Sequence, residues 1–182
     1  MLLGSVSQHC LHHAMSPVAL IRDGAGIGSG RTAGERVVVG IDGSDAARRG
    51  LRWALDEGRA RHAAVDVVHA WQTPYVGSGD PFAAAFDPVM FEEAARLALD
   101  ATVDGEDASG LPQPPERILV HGGAAPAILE TAKGADLVVV GSRGLGGFSG
   151  LLLGSVSHHV AHHAPCPVVI VPPAVADRDG HA

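Results

Sequence analysis

Residues 136–157, D-L-V-V-V-G-S-R-G-L-G-G-F-S-G-L-L-L-G-S-V-S, constrain the fold more than any other part of the chain. They begin with the apolar run 137–140, which is short and rich in valine, as is typical of a strand buried on both faces. Glycines follow up to Gly154, near the start of an amphipathic segment, and glycine lets a backbone approach a ligand closely. A strand, a glycine loop and a helix start in this order direct free N–H groups and the positive end of the helix dipole to one point. The stretch therefore predicts a phosphate-binding loop.

Valine-rich runs alternate with amphipathic segments along the rest of the chain. Strands are expected at 36–41, 64–71, 117–121, 137–140 and 167–171, and helices after the turn at 43–45 and at 89–103, 125–133 and 152–164. This alternation predicts a parallel sheet with helices on both faces, and ligands of such sheets bind beyond the carboxyl ends of the strands. If the first and fourth strands are neighbours, Asp42 and Gly141 face the same crevice. The apolar period of the second helix predicts a buried face made of Phe91, Ala94, Ala95, Ala98 and Thr102.

Length, composition and charge narrow the classes of function. The chain of 182 residues favours one domain with a small addition. Its net charge of −7 argues against general nucleic-acid binding, because that binding normally needs a basic surface. No apolar run approaches the roughly 20 residues of a membrane-spanning helix. The two cysteines, Cys10 and Cys166, form neither a disulfide framework nor a metal quartet, so a reducing, cytoplasmic location is expected.

The chain begins with a near copy of its own end. Residues 2–21 read L-L-G-S-V-S-Q-H-C-L-H-H-A-M-S-P-V-A-L-I and residues 152–171 read L-L-G-S-V-S-H-H-V-A-H-H-A-P-C-P-V-V-I-V, so 12 of 20 positions are identical at an offset of 150. An offset of this size matches a domain. We therefore expect a remnant of a preceding domain at 1–21, a flexible linker at 22–34, a complete domain at 35–173 and a tail at 174–182. A true start upstream of Met1 would instead place the remnant in a full first domain.

The glycines of the predicted phosphate loop have a characteristic spacing, Gly141-x2-Gly144-x9-Gly154, and Ser155 follows them. Together with V-V-V-G-I-D-G-S, V-V-H-A, H-G-G-A-A-P-A-I-L and P-C-P-V-V-I-V, this spacing resembles the ATP-binding branch of the universal stress protein family. The resemblance implies an open parallel five-stranded sheet of order 3-2-1-4-5, of the adenine-nucleotide α-hydrolase-like kind. It also implies bound ATP with Mg²⁺ or Mn²⁺, and dimers or tandem pairs joined through their fifth strands.

The same resemblance implies roles for single residues. Asp42 would contact the ribose or adenine side of the nucleotide, and the backbone of Ala70 would meet the adenine edge. The glycines Gly141 and Gly144 would lie against the ribose and phosphates. The phosphate chain itself would be bound by Gly154 and Ser155.

Other residues of the loop and helix are weaker candidates, and simpler interpretations stay open. Arg143 is placed to reach a phosphate, although a solvated arginine fits the sequence equally well. Ser142 and Ser157 are candidates to extend the phosphate shell. Asp42 could instead only cap the turn before the first helix, and the loop glycines could be ordinary turn residues.

Histidines recur at i,i+4 spacing in the fourth helix, as His158/His162 and His159/His163. Such pairs can hold a metal ion, but no acidic residue lies among them, so a solvated or interface surface is the preferred interpretation and no metal site is predicted.

No side chain in the sequence pattern is placed as a general base for an attacking water, so no catalytic residue is predicted. The function predicted is a nucleotide-binding regulatory module of the stress response. A slow ATPase, or another ATP-using enzyme of the same fold, is the alternative.

The remnant strand, from Pro17 to Ile21, has no sheet of its own, and an isolated helix–strand pair is not stable. It is predicted to dock along the fifth strand, from Pro167 to Val171. That strand is the edge through which a homodimer would form, so docking would block it.

Overall fold

The computed structural model describes residues 9–11, 13–21, 35–73, 87–146 and 153–174. Its elements, in chain order, are β1 (Val18–Leu20), β2 (Arg36–Ile41), α1 (Asp45–Arg61), β3 (Ala64–Trp71), α2 (Pro88–Asp104), β4 (Glu116–His121), α3 (Ala124–Thr131), β5 (Leu137–Gly141), α4 (Ser155–His163) and β6 (Val168–Val171). Residues 9–11 and 13 are also helical. The predicted linker, 22–34, lies outside the described residues, so the predicted domain division stays untested.

One sheet contains all the described strands, in the order β1-β6-β5-β2-β3-β4. The strands β2 to β6 are parallel to one another. Counted from β2, they stand in the predicted order 3-2-1-4-5, and β2 and β5 are neighbours as supposed. The sheet has six strands and not the five that the resemblance implies, because β1 adds an antiparallel strand at the edge of β6.

Helices cover both faces of the sheet because the central strands alternate their valines between two cores. Val37, Val39 and Val139 face the core beneath α1 and α2, whereas Val38 and Val138 face the core beneath α3 and α4. Strands buried on both faces are what the uninterrupted valine runs predicted. No helix in the described ranges is both long and apolar enough to cross a membrane.

Helix α2 has the predicted extent but a different buried face. Its buried residues are Ala95, Leu99 and Val103, while Ala94 and Ala98 are exposed. Leu97 is 70% exposed. The alanine-rich sequence offers two apolar stripes, and the stripe with the larger Leu99 and Val103 side chains is the one that packs against the sheet.

The N-terminal segment, residues 9–21, docks where the sequence predicts. Val18, Ala19 and Leu20 pair antiparallel with β6, and Leu11 is only 5% exposed within the core beneath α4. The predicted pairing of this segment with the fifth strand of the domain is therefore confirmed. The predicted effect of this docking on dimerisation stays a prediction.

Candidate functional site

A cleft of about 390 Å³ opens at the carboxyl ends of β2 and β5. The chain leaves β2 toward β3 and leaves β5 toward β6, so the two connections diverge there and a crevice forms between them. Asp42 and Gly141 both line this cleft, which confirms that they face the same crevice. Among the described lining residues, Asp42 and Arg143 carry the only charges, and most of the others are glycine, alanine or aliphatic.

Asp42 connects the two loops that form the mouth of the cleft. Its Oδ1 atom accepts hydrogen bonds from the amide and the hydroxyl of Ser44, at 3.0 Å and 2.6 Å. Its Oδ2 atom accepts a bond from the amide of Leu145, at 3.0 Å. The residue that caps α1 is Ser44, whose hydroxyl accepts from the Ala47 amide at 3.2 Å. Asp42 therefore supports the cap and also holds the glycine loop, so capping of the turn alone does not describe it.

Two glycines of the loop are needed for close approach inside the protein. A Cβ atom at Gly144 would collide with Oδ2 of Asp42. A Cβ atom at Gly141 would lie 2.9 Å from the carbonyl carbon of Ala46, at the start of α1. Gly141 thus lets β5 end against the first turn of α1, and Gly144 leaves room for the carboxylate.

The start of α4 faces the cleft without a side-chain cap. Gly154 is the N-cap residue, and among the described residues no side chain caps the first turn there. The amides of Ser155, Val156 and Ser157 belong to that turn and have no acceptor within the helix. All four residues line the cleft. The positive end of the α4 dipole is therefore directed at the space where a ligand would lie.

Ser157 holds the glycine loop in place from below. Its buried hydroxyl donates to the carbonyl of Gly141 at 2.6 Å, with the Ser142 carbonyl at 3.1 Å. The Ser142 carbonyl also accepts from the Gly154 amide at 2.7 Å, and the Ser142 amide donates to Val171 at 2.7 Å. The hydroxyl proton of Ser157 is thus directed at backbone, which is a positioning role, and the phosphate contact suggested by the sequence stays a prediction.

Arg143 supplies positive charge beside the start of α4. The residue is half-buried and lines the cleft, and no carboxylate among the described residues pairs with its guanidinium group. A guanidinium group presents five donors and stays charged at all physiological pH values. Its free donors make it the side chain best suited to an anion in this cleft.

Among the predicted site residues, the buried Ser142 does not line the cleft, and neither does Ala70. Ala70 lies in β3 opposite Val120, half-buried against the core beneath α3. The residues that the sequence interpretation missed are mostly apolar wall residues, among them Ile128 of α3 and Val156 of α4. Their helices could be predicted from sequence, but which side chain reaches the cleft depends on how those helices pack.

The described residues contain no group of three His, Cys, Asp or Glu side chains that could hold a metal ion. The histidines of α4 form two ring pairs instead, His158–His162 and His159–His163, with centroids 4.3 Å and 4.4 Å apart. A cation in the cleft would therefore depend on Asp42 and on the ligand's own oxygens.

Known proteins are similar to this chain in sequence and in architecture. Residues 34–172 match the universal stress protein family. A universal stress protein from Mycolicibacterium smegmatis is 38% identical over 180 residues, covering 94% of this chain and 56% of that protein. A universal stress protein from Thermus aquaticus is 38% identical over 141 residues, covering 74% of this chain and 96% of that protein.

The solved structures include a universal stress protein in complex with cAMP, which is 31% identical and has a TM-score of 0.56. The match between the two structures covers 75% of the present chain and 96% of the solved one. The present chain spans about half the length of the Mycolicibacterium relative. On the match over residues 34–172 and on these identities, the chain belongs to the universal stress protein family.

Proposed function

We propose that this protein binds ATP in the cleft between β2 and β5 and acts as a nucleotide-dependent regulatory module in the stress response. One observation supports the proposal above all. The start of α4 and the guanidinium of Arg143, which have no side-chain cap and no carboxylate partner in the part of the chain that the structure describes, line the same cleft beside the glycine loop. Helix N-termini and arginine are both groups that proteins commonly place on phosphate oxygens.

The rest of the cleft suits the nucleoside part of such a ligand. Its volume of about 390 Å³ falls in the range of about 300–1,000 Å³ that is usual for ligand pockets. The walls contributed by Ile41, Ile128 and Val140 offer apolar surface for a base. Asp42 Oδ2 accepts a single described hydrogen bond, so it retains capacity to accept another from a ribose hydroxyl.

A relative of known structure supports the ligand class. The universal stress protein that is 31% identical to this chain was solved with cAMP, an adenine nucleotide with a single phosphate. That makes cAMP a second candidate ligand here. The α4 N-terminus and Arg143 together offer more anion-binding capacity than one phosphodiester needs, and this favours ATP over cAMP.

A divalent cation, Mg²⁺ or Mn²⁺, would accompany ATP and neutralise part of its charge. Asp42 is the only acidic side chain among the described lining residues, so it would be the one protein carboxylate available to the ion or to its waters. Magnesium is usually held by one or two carboxylates together with substrate phosphates, and one carboxylate fits that pattern.

Binding is favoured over turnover because the cleft offers little for catalysis. Hydrolysis normally requires a residue that orients the attacking water. Among the described lining residues Asp42 is the single acidic candidate, and the proposal assigns its remaining acceptor capacity to the ribose or to the cation. A slow ATPase is the alternative, and steady-state phosphate release with Mg²⁺ or Mn²⁺ distinguishes it from a pure binder.

Calorimetric titration with ATP, ADP, AMP and cAMP, after removal of co-purified nucleotide, tests the proposal. The matched variants are Arg143→Ala in the cleft and Arg48→Ala on the exposed side of α1, which does not line the cleft. We expect Arg143→Ala to weaken ATP binding about 10- to 100-fold, because a charged hydrogen bond contributes about 1.5–3 kcal/mol. Arg48→Ala should leave it unchanged. Absence of ATP binding by the unaltered chain, or equal losses in both variants, contradicts the proposal.

A further inference from the structure

The histidines of α4 form two pairs, and the members of each pair are one helical turn apart. The ring centroids of His158 and His162 are 4.3 Å apart. Those of His159 and His163 are 4.4 Å apart, and their ring planes differ by only 19°, so these two rings are stacked. Residues at i and i+4 lie on the same side of a helix, which accounts for both contacts. His159 and His163 are both exposed, so an ion can reach their rings from solvent.

A hydrogen bond to the backbone fixes the tautomer of the second ring in each pair. Nδ1 of His163 lies 3.0 Å from the carbonyl oxygen of His159. Nδ1 of His162 lies 2.8 Å from the carbonyl oxygen of His158. A carbonyl oxygen can only accept, so Nδ1 carries the proton and Nε2 of the neutral ring carries the lone pair. Histidines that ligate metals almost always donate their other ring N–H in this way, because the bond fixes the ring and raises its basicity.

We propose that His159 and His163 together chelate one divalent transition-metal ion of the class of Zn²⁺, Ni²⁺ and Cu²⁺. Imidazole nitrogen suits these ions, whereas Mg²⁺ prefers oxygen ligands. Two bonds of about 2.0–2.1 Å to one ion require nitrogen atoms about 3.0–3.4 Å apart. The stacked rings reach this separation by a small rotation of the exposed His159 side chain. The site is separate from the cation proposed to accompany ATP, since neither histidine lines the cleft.

The surroundings of the pair favour a cation without an acidic ligand. His163 lies in the last turn of α4, at the negative end of the helix dipole, and the chain has a net charge of −7. The described residues offer no group of three ligands, so water would complete the coordination, and the site would bind more weakly than a structural zinc site with four protein ligands. From sequence alone the lack of acidic neighbours favours a solvated surface, because the bond that fixes the tautomer is visible only in the structure.

The other histidine pairs are less well arranged. The rings of His158 and His162 are tilted by 40°, and His162 is half-buried. The rings of His9 and His13 are tilted by 47°. The variant His9→Gln/His158→Gln/His162→Gln, called the single-pair chain below, therefore keeps the stacked pair as the one i,i+4 histidine pair of the sequence.

Electron paramagnetic resonance with Cu²⁺ counts the nitrogen ligands in the single-pair chain. With less than one equivalent of Cu²⁺ we expect hyperfine coupling to two imidazole nitrogens. A further His163→Gln should leave one at most and weaken Cu²⁺ binding about 10-fold or more, because chelation makes the second bond intramolecular. The matched control is His121→Gln, which removes an exposed histidine of β4 that has no histidine within four positions. It should change neither the coupling nor the affinity.

Zn²⁺ tests the same pair in the unaltered chain. Long-range proton–nitrogen NMR spectra should show Nδ1 of His163 protonated, and Zn²⁺ should shift the Nε2 signals of His159 and His163 together. Mg²⁺ at the same concentration, without nucleotide, should shift neither. Zn²⁺ should also raise the midpoint of thermal unfolding, since the two rings meet only in the folded helix. The rise should be larger in the single-pair chain than in its His163→Gln variant.

Three results would overturn the inference. The first is coupling to a single nitrogen in a single-pair chain whose circular dichroism spectrum is unchanged. The second is equal Cu²⁺ affinity with and without His163, or equal losses in His163→Gln and His121→Gln. If the single-pair chain does not fold, the NMR titration of the unaltered chain decides. There, a Zn²⁺ titration that leaves the Nε2 signal of either His159 or His163 unmoved would be the third, and would show that the rings are only a solvated surface.

Discussion

Asp42 and Leu145 are 103 positions apart in the chain, yet the Leu145 amide donates a hydrogen bond of 3.0 Å to the Asp42 carboxylate. The same carboxylate receives the amide and hydroxyl of Ser44, which caps α1. The Asp42 carboxylate, which is proposed to contact the nucleotide, therefore also connects the loop after β2 to the loop after β5 by hydrogen bonds. A ligand that binds this carboxylate changes its hydrogen bonds to both loops at once. The conformation of these loops would then depend on whether the nucleotide is bound, as a regulatory module requires.

Gly144→Ala tests the hydrogen bond between Leu145 and Asp42. The new methyl group would collide with Asp42 Oδ2, so the carboxylate must turn away and lose the bond from Leu145. We expect a loss of about 1 kcal/mol in the free energy of unfolding and at least a 10-fold weaker affinity for ATP. Chemical denaturation and calorimetry measure the two effects.

Gly146→Ala is the matched control, since a Cβ atom there meets no atom of the described residues within 4 Å. It makes the same change of residue type in the same loop. A free energy of unfolding for Gly144→Ala equal to that of Gly146→Ala would show that the Asp42–Leu145 contact does not restrain the loop.

Ser157→Ala should destabilise the fold as well as the site. The buried hydroxyl is a hydrogen-bond donor to Gly141, and its removal leaves a buried carbonyl without that partner. The expected cost is about 1–3 kcal/mol in the free energy of unfolding, measured by urea denaturation. Ser155→Ala makes the same substitution at an exposed position two residues earlier and should cost less than about 0.5 kcal/mol. Equal losses in the two variants would mean that the hydroxyl of Ser157 does not hold the loop.

Most of the fold could be predicted because each strand is a short valine-rich run, and turn residues or amphipathic segments separate one run from the next. The runs at Arg36–Ile41 and Ala64–Trp71 became strands with the expected ends. The face of α2 could not be predicted in the same way. Alanine fits either side of a helix, so the apolar period alone did not select between stripes, and packing against β3 and β4 decided it.

In the candidate site, too, some features could be predicted from sequence and others depend on packing. Asp42 and Gly141 could be placed together from sequence, because both follow strands whose carboxyl ends meet. The distance of Ala70 from the cleft lining could not, since it depends on where β3 ends relative to α3. The hydroxyl of Ser157 was also beyond sequence reasoning, because its direction is set by which carbonyl lies within reach.

An ion pair with a buried carboxylate and a partly exposed arginine fixes the end of the sheet opposite the cleft. Arg36 contacts Asp66 at 2.6 Å, and the Asp66 side chain is 4% exposed. The Arg36 guanidinium also donates to the carbonyl of Thr131, the last residue of α3, and to that of Lys133 just after the helix. Asp66→Ala removes one partner of a largely desolvated pair, and we expect a loss of about 3 kcal/mol in the free energy of unfolding.

Glu130→Ala provides the comparison, because the Glu130–Lys133 pair is exposed on both sides and should contribute less than about 1 kcal/mol. Thermal and urea unfolding of both variants measure the difference. ATP affinity should be unchanged in both, since neither residue lines the cleft. A loss of binding in folded Asp66→Ala would show that the two ends of the sheet are coupled.

The glycines of the loop signature should separate into those required by the fold and those required by the ligand. A Cβ atom at Gly141 would meet the backbone of Ala46 at 2.9 Å, and backbone cannot move aside as a flexible side chain can. At Gly154 the nearest atoms to a Cβ would be 3.5 Å away, which is ordinary contact. We therefore expect Gly141→Ala to lower the free energy of unfolding by about 1–3 kcal/mol, and Gly154→Ala by less than about 1 kcal/mol.

The order of effects should differ for nucleotide affinity, where Gly154→Ala has a large effect despite its small effect on stability. Gly154→Ala adds a methyl group at the start of α4, next to the amides proposed to receive phosphate, so ATP binding should weaken at least 10-fold in a protein that is still fully folded. Calorimetry on each variant, at a temperature where denaturation curves show both to be folded, separates affinity from stability. If Gly154→Ala binds ATP as tightly as the unaltered chain, the phosphates do not rest on the start of α4, and the ligand must lie elsewhere along the cleft.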